Sequence, residues 1–174
     1  MSSRPALRFV ATAGAVLAVD QASKAAVRHW LPLGASVPVI DGALDLTHVR
    51  NTGAAFGLFP GAMAWFMLSA VIVLAGIAFV WWRHAPRDPW TVVALGLIAG
   101  GAAGNLIDRA FLGGVTDFFD VRVWPVFNVA DVGLDIGVAI VVIRLLFGGE
   151  REGGGPHAEP GEAAGSEPRE ASDG

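Results

Sequence analysis

Long apolar runs constrain this chain more than any other feature of its sequence. A helix needs about 20 mostly apolar residues to cross a bilayer, and three segments meet this length, at 62–82, 90 to about 106, and 129–147. Apolar residues make up 53% of the chain and charged residues 16%, against roughly 45–50% and 25% in soluble domains. The sequence therefore predicts a helical membrane protein.

A fourth segment, from 6 to about 30, is apolar in its first half and polar in its second. Asp20, Lys24 and Arg28 are spaced four residues apart, so they share one face of a helix. That pattern is expected of a helix end that faces a polar cavity. The alternative is a cleaved signal peptide, because two arginines precede the apolar run. Our prediction is four transmembrane helices.

Basic residues indicate which side of the membrane each segment occupies. Lys and Arg concentrate on the cytoplasmic side of membrane proteins, and the arginines near both termini and between the second and third spans form the richer side. These are Arg4, Arg8, Arg83, Arg87, Arg144 and Arg151. Both termini are therefore expected in the cytoplasm, with 31–61 and 110–127 on the outer side.

The outer segment 31–61 is predicted to contain a β-hairpin. Two strand-like runs, 37–40 and 43–49, flank Asp41-Gly42, a dipeptide that favours the turn matching strand twist. A further short strand is indicated at 121–124.

The last segment, 148–174, is rich in Gly, Pro, Glu and Ala and has almost no large apolar side chain. Such a composition buries too little surface to fold, which predicts a disordered acidic tail. Residues 1–147 are then expected to form the single folded domain.

Composition also argues against several kinds of function. The chain has no Cys, so a disulfide, a thiol nucleophile and a cysteine metal site are all excluded. The net charge of -4 comes from the acidic tail, and no basic cluster with interleaved aromatic residues indicates nucleic-acid binding. HExxH-type metal spacing does not occur. The four histidines are scattered, and we interpret them as surface groups.

Polar side chains converge on one depth of the predicted bundle. A carboxylate in the middle of a span costs about 2.5–3.5 kcal/mol, yet Asp20, Asp108 and Asp131 lie in or at the ends of spans, near the same outer face. Asp117 lies in the outer loop between the third and fourth spans. The neutral and basic residues expected at this level are Asn51, Asn105, Asn128 and Arg109. This convergence is the main indication of function.

Asp117 and Asp131 form a candidate acid–base pair. Two carboxylates about 4 Å apart repel by roughly 4 kcal/mol at an effective dielectric of about 20, which keeps one of them protonated near neutral pH. A shared proton is what an aspartyl protease uses. The ionised member takes a proton from water, and the protonated member polarises the scissile carbonyl.

Structural interpretations of the same residues stay open. Asn128 and Asp131 also fit a helix N-cap with an acidic partner three residues later, and Asp20 with Lys24 is an ordinary i,i+4 ion pair. Asp117 could be a solvated loop charge. The alternative function is a transporter, because intramembrane carboxylates also mark proton paths. A proton path should cross the membrane, whereas these carboxylates cluster at one face.

Five short motifs, in order, resemble those of the lipoprotein signal peptidases, also called signal peptidase II. They are Asp20-Gln21-Ala22-Ser23-Lys24, Arg50-Asn51-Thr52-Gly53-Ala54-Ala55-Phe56-Gly57, Gly104-Asn105-Leu106-Ile107-Asp108-Arg109, Val115-Thr116-Asp117-Phe118 and Phe127-Asn128-Val129-Ala130-Asp131. Together they extend the resemblance over about residues 6–147.

The resemblance implies an aspartyl endopeptidase of the bacterial inner membrane. Its substrates would be prolipoproteins whose lipobox Cys carries diacylglycerol, cut just before that Cys by Asp117 and Asp131. It implies four transmembrane helices, a small extracytoplasmic β-cradle and a short outer helix near 110–120. No cofactor or metal is implied, and we expect a monomer in contact with membrane lipid. The residues implied to line or brace the site are Asp20, Lys24, Asn51, Asn105, Asp108, Arg109 and Asn128.

The sequence departs from the family pattern just after Asp131. Val132 and Gly133 replace a small polar residue and an Ala, and Asp135 adds a carboxylate one helical turn further on. We interpret Asp135 as a third carboxylate that strengthens the pair's hold on its shared proton.

Overall fold

In the computed structural model, four helices and a three-stranded antiparallel sheet account for residues 3–53 and 62–147, the parts of the chain that the structure describes. The elements are α1 (Ser3–Trp30), β1 (Ser36–Ile40), β2 (Leu44–Asn51), α2 (Ala62–His84), α3 (Pro89–Leu112), β3 (Val115–Asp120) and α4 (Val129–Phe147). The predicted disordered tail, 148–174, and the last four residues of the second motif, 54–57, lie outside the described residues.

The four predicted helices are present, and they differ in how apolar they are. By length and composition, two of the described helices are apolar enough to cross a membrane, Met63–His84 and Pro89–Leu112. α1 and α4 have 28 and 19 residues, so both are long enough to span. They carry more charged side chains than the other two: five in α1, and Asp131, Asp135 and Arg144 in α4.

Glycines let α3 pack closely against its neighbours. A Cβ on Gly100 would lie 2.6 Å from the backbone oxygen of Ala13 in α1. On the opposite partner, a Cβ on Gly137 of α4 would lie 2.6 Å from Cγ1 of Ile98. Small residues allow helix backbones to approach in this way. α3 is therefore the central helix, in contact with α1, α2 and α4.

We expect Gly100→Ala to lower the free energy of unfolding by about 1–3 kcal/mol, because the added methyl group meets backbone that cannot move aside alone. The matched control is Gly14→Ala in α1, where nothing lies within 4 Å of the added carbon. That variant should be neutral or more stable by up to about 1 kcal/mol. Denaturation in detergent micelles measures both, and equal effects would contradict the close packing.

The predicted hairpin is confirmed, with a turn one residue longer than the Asp-Gly dipeptide. Ile40 pairs with Leu44 across Asp41, Gly42 and Ala43. Gly42 has φ 76°, a left-handed conformation that glycine adopts at little cost. β1 and β2 thus form the first two strands of the sheet.

The segment after α3 forms a strand, and the short outer helix expected near 110–120 is wrong. α3 continues to Leu112 and ends at Gly113, whose left-handed backbone (φ 68°) caps the helix. Val115–Asp120 then pairs antiparallel with β2. The strand indicated at 121–124 is also wrong, since Arg122 has φ 64° and the chain bends there. Pairing with β2 provides hydrogen-bond partners for the backbone N–H and C=O groups of this segment, which a helix would have paired internally.

Candidate active site

The two candidate catalytic aspartates come from different elements that meet at one end of the bundle. Asp117 is in the middle of β3 and is only 2% exposed, so it is not a solvated loop charge. Asp131 is in the first turn of α4 and is half-buried. Both side chains line a cavity of about 430 Å³.

Asp131 takes part in a reciprocal cap at the start of α4. Its backbone N–H donates to Oδ1 of Asn128 over 3.0 Å, and its Oδ2 accepts from the backbone N–H of Asn128 over 3.1 Å. The capping interpretation is therefore confirmed. The cap holds one carboxylate oxygen of Asp131 in place and leaves the other available to further donors.

Amide side chains hold both carboxylates. Asn128 Nδ2 donates to Oδ1 of Asp117 (2.6 Å) and to Oδ1 of Asn105 (3.1 Å). Asn51 Nδ2 donates to Oδ2 of Asp117 over 2.9 Å, and Asn105 Nδ2 donates to Oδ1 of Asp131 over 2.8 Å. Asn128 thus touches both aspartates, one through its side chain and one through its backbone. The arrangement fixes their orientation, and no cation of residues 3–53 or 62–147 forms an ion pair with either carboxylate.

A buried cation lies behind the amides. Lys24 Nζ is 2.9 Å from Asp20 Oδ2 and 3.6 Å from Asp108 Oδ2, and all three side chains are almost fully buried. The same Nζ donates to Oδ1 of Asn105 over 2.8 Å. The Asp20–Lys24 ion pair predicted from the spacing is therefore confirmed, as a buried pair connected to the site. Lys24 is therefore connected to Asp131 through Asn105, which hydrogen-bonds to both side chains.

The two buried acids also brace neighbouring elements. Asp20 Oδ1 accepts from the backbone N–H of Ala130 in α4 over 2.9 Å. Asp108 Oδ2 accepts from the backbone N–H of Thr116 in β3 over 2.9 Å. α1 and α3 therefore position the segments that carry Asp131 and Asp117.

Arg109 forms the wall of a second cavity. Its guanidinium lies 5.1 Å from the centroid of the Phe66 ring in α2, within reach of a cation–π contact. Both side chains line a cavity of about 210 Å³ that also reaches Asp131 and Leu134. Asp131 therefore lies between two cavities, one beside the sheet and one between α2, α3 and α4.

Asp135 lines the sheet-side cavity together with Asp117 and Asp131. Its side chain is exposed. The structure thus puts this carboxylate in the cavity of the pair, and its action on the shared proton stays a prediction.

The sequence interpretation missed one polar residue of the site, Gln21, and misjudged the burial of a residue outside it, His48. Gln21 Nε2 lies 3.1 Å from Asp20 Oδ2, 3.1 Å from Asp108 Oδ1 and 3.2 Å from the backbone oxygen of Gly104, and donates to all three. Its position next to Asp20 in the first motif was the sequence feature that could have identified it as part of the site. His48 is a correction, because it is 9% exposed rather than a surface group. It faces inward from β2, and its Nδ1 is 2.8 Å from the backbone oxygen of Leu31.

Burial is the largest influence on the acidity of Asp117. It raises the pKa of that carboxyl from 3.8 to about 6, and the charge of Asp131 acts in the same direction. Hydrogen bonds from Asn51 and Asn128 and the charge of Lys24 oppose the rise. The site can therefore hold a proton on a carboxyl group at a pH where a solvated aspartate has lost it. Among the described residues, no group of three His, Cys, Asp or Glu side chains is arranged to hold a metal ion.

The raised pKa of Asp117 predicts a pH dependence of stability. The folded protein binds this proton more tightly than the unfolded chain does, so its contribution to stability is complete below about pH 4 and is lost as the pH rises through about 6. Asp117→Asn removes this contribution. We expect the melting temperature of wild type, relative to the variant, to fall between pH 4 and 7 in detergent micelles. Parallel curves would contradict the raised pKa.

The family model described as signal peptidase (SPase) II matches residues 12–147. The chain belongs to the signal peptidase II family. Among its relatives is the lipoprotein signal peptidase of Pelotomaculum thermopropionicum, 47% identical over 131 residues, which are 75% of this chain and 86% of that one. That of Desulfitobacterium hafniense (strain DSM 10664 / DCB-2) is 44% identical over 81% of this chain and 94% of its own. That of Syntrophomonas wolfei is 43% identical over 84% and 97%.

Solved structures share the fold of this signal peptidase II family member. A bacterial membrane enzyme determined by the in meso method at 2.3 Å has a TM-score of 0.77 and 32% identity, covering 86% of this chain and 94% of that one. Another, determined at 1.9 Å, has a TM-score of 0.75 and 35% identity, covering 80% and 92%. The chain is therefore a peptidase of a membrane-enzyme family.

Proposed function

We propose that this signal peptidase II removes signal peptides from prolipoproteins by cutting just before a Cys that carries diacylglycerol. One observation supports it above the others: Asp117 of β3 and Asp131 of α4 line one cavity and are both bonded to Asn128. The names of the relatives, lipoprotein signal peptidases, agree with this substrate class.

The proposed chemistry needs one proton shared by Asp117 and Asp131. The ionised carboxylate takes a proton from water, and the water oxygen attacks the carbonyl carbon of the scissile bond. The protonated carboxyl donates to the carbonyl oxygen. The proton taken from water then goes to the nitrogen of the Cys, and the bond between that nitrogen and the carbonyl carbon breaks. The hydroxyl formed on the former carbonyl oxygen returns its proton to the carboxylate that had donated it, so the signal peptide leaves as a carboxylic acid and the pair again holds one proton. The pair titrates as a unit, so neither aspartate is assigned one role alone.

Two cavities around Asp131 suit a chain that enters the site from one side and leaves by another. The cavity between α2, α3 and α4 has apolar walls, including Phe66, Val73 and Leu134, with Arg109 beside them. The cavity beside the sheet is more polar and holds both aspartates. A lipidated substrate would keep its acyl chains in the bilayer while its peptide bond reaches this interface.

All four helices are proposed to span the inner membrane of a bacterial cell, with both termini in the cytoplasm. α4, the shortest, rises about 28 Å at 1.5 Å per residue, close to the roughly 30 Å hydrocarbon core. The acidic residues of α1 and α4 belong to the site. Large apolar side chains such as Ile72 and Phe79 of α2 and Leu145 of α4 are exposed, as lipid-facing residues would be. One chain supplies every side chain of the site, so we propose a functional monomer.

The test is a gel-shift assay with purified enzyme and a prolipoprotein whose lipobox Cys carries diacylglycerol. We expect wild type to release the signal peptide. The control is the same prolipoprotein with an unmodified Cys, which should be cleaved far more slowly. No cleavage of the lipidated substrate would refute the proposed function, and equal cleavage of both would refute the lipid requirement.

A further inference from the structure

A basic pocket lies on the face of the sheet opposite the aspartates. Arg50 of β2 pairs in register with Thr116 of β3, and side chains alternate between the faces of a strand. Asn51 and Asp117, the next residues along each strand, therefore point to the catalytic face. The pocket on the other face has a volume of about 280 Å³ and is lined by Arg28, Leu33, His48, Arg50, Leu112, Gly114 and Thr116.

Arg50 brings to this pocket a charge that no carboxylate among the described residues offsets. Arg28 is compensated, because its Nη1 is 3.8 Å from Asp108 and donates to Thr116 Oγ1 over 3.0 Å. In the parts of the chain that the structure describes, Arg50 takes part in no ion pair. The connection 54–61, outside those parts, contains no acidic residue. The pocket therefore carries net positive charge.

The Arg50 side chain lies beside the turn after α3. A Cβ on Gly114 would lie 3.1 Å from Cγ and 3.3 Å from Nε of Arg50, and a Cβ on Gly113 would lie 3.4 Å from its Nη2. The guanidinium therefore lies across two residues that have no side chain. A larger residue at Gly114 would push it away from the pocket.

Exposed apolar residues place the pocket at the lipid boundary. Trp30, at the end of α1, is 79% exposed and Leu33 is 63% exposed. Tryptophan concentrates at the level of lipid headgroups. On the proposed topology, which this step requires, the two arginines lie at the depth of the outer-leaflet phosphates. Guanidinium groups match phosphate oxygens in geometry as well as in charge.

We propose that this pocket binds the phosphodiester of an outer-leaflet phospholipid. Arg50 and Arg28 donate to the phosphate oxygens, and Leu33 and Leu112 contact the glycerol and the first methylenes of the acyl chains. The bound phosphate fixes the Arg50–Thr116 pair from behind. Asn51 and Asp117 extend from the same two strands toward the substrate, so the lipid sets the depth of the catalytic face in the membrane.

The test measures binding of a short-chain phosphatidylglycerol to the full-length enzyme in lipid-free maltoside micelles, by native mass spectrometry. We expect Arg50→Gln to weaken binding about 10-fold or more, equivalent to about 1.4 kcal/mol, and Arg50→Lys to weaken it less. The matched control is Arg122→Gln, which removes one outer positive charge that is paired with Asp45. It should bind the phospholipid as wild type does.

Further arms separate the lipid from other sources of phosphate. A diacylglycerol glycoside, which has acyl chains and no phosphate, should not occupy the site. Inorganic phosphate should displace the phospholipid only at much higher concentration. Equal losses in Arg50→Gln and Arg122→Gln, equal binding of the glycoside, or displacement by inorganic phosphate at matched concentration would each overturn the proposal. If Arg50→Gln does not fold, the proposal is tested by Arg50→Lys, which should bind the phospholipid less tightly than wild type, and by the salt dependence of wild-type binding. The cleavage assay is separate, so failure here leaves the proposed function standing.

Discussion

Replacing Asp117 or Asp131 with Asn is expected to reduce cleavage of a lipidated prolipoprotein by at least about 10³-fold, within the range that acid–base groups contribute. Each variant removes one site for the shared proton. An amide can neither take a proton from water nor deliver one to the leaving nitrogen. Single-turnover gel-shift kinetics measure the loss directly.

Asp120→Asn is the control for these variants. Asp120 belongs to the same strand as Asp117, but it accepts from Thr47 and from the backbone of Arg122 and does not line the cavity. It should keep its activity. Binding of substrate and a cooperative melting transition at the assay temperature must accompany the loss in the two aspartate variants. If either of them still cleaves at a rate near wild type, the proposed pair is rejected.

Replacing Lys24 with Met is expected to lower the free energy of unfolding by about 3–5 kcal/mol, because it removes one partner from a buried ion cluster. Asp20 would remain buried without its cation, and Asp108 would keep only Arg28, 3.8 Å away. Met has a similar length, so the loss reflects charge more than volume. Denaturation in detergent micelles measures the effect.

Two comparisons make the Lys24 result specific. Arg144→Gln breaks the partly exposed ion pair with Asp88 and should cost no more than about 1 kcal/mol. Adding Asp108→Asn to Lys24→Met removes one charge that has lost its partner. The double variant should therefore lose less free energy of unfolding than the two single variants lose in sum. Additive losses would show that the three side chains do not act as one cluster.

The bounds of a helix could be predicted from the sequence wherever the apolar run ends at the same residue as the helix. The run 129–147 coincides with α4 because Asn128 caps it and the apolar face continues to Phe147. α3 is longer than the apolar run that predicted it, which ended near 106. Its last turns carry Asn105, Asp108 and Arg109, which turn toward the polar site while the helix continues. Hydropathy therefore marks where a helix leaves the lipid rather than where it stops.

The acids of the candidate site could be proposed from the sequence, whereas the contacts between its residues could not. Asp117 and Asp131 follow from five motifs in order. β3 was missed because Val115–Phe118 are all buried, so the strand lacks the alternation that identifies half-buried strands. Its partner, β2, is more than sixty residues earlier in the chain. Gln21 donates to an acid 87 residues away, a contact that no local spacing indicates.

The reciprocal cap between Asn128 and Asp131 gives the two aspartates unequal freedom to change. Any substitution at Asp131 alters how α4 begins, so on the proposed mechanism a change in the chemistry of Asp131 also changes the start of a helix. Asp117 has no such duty, since Asn51 and Asn128 approach it only through their side chains. Enzymes adapted to acidic or alkaline surroundings should therefore differ around the strand aspartate and keep the helix aspartate's neighbours constant.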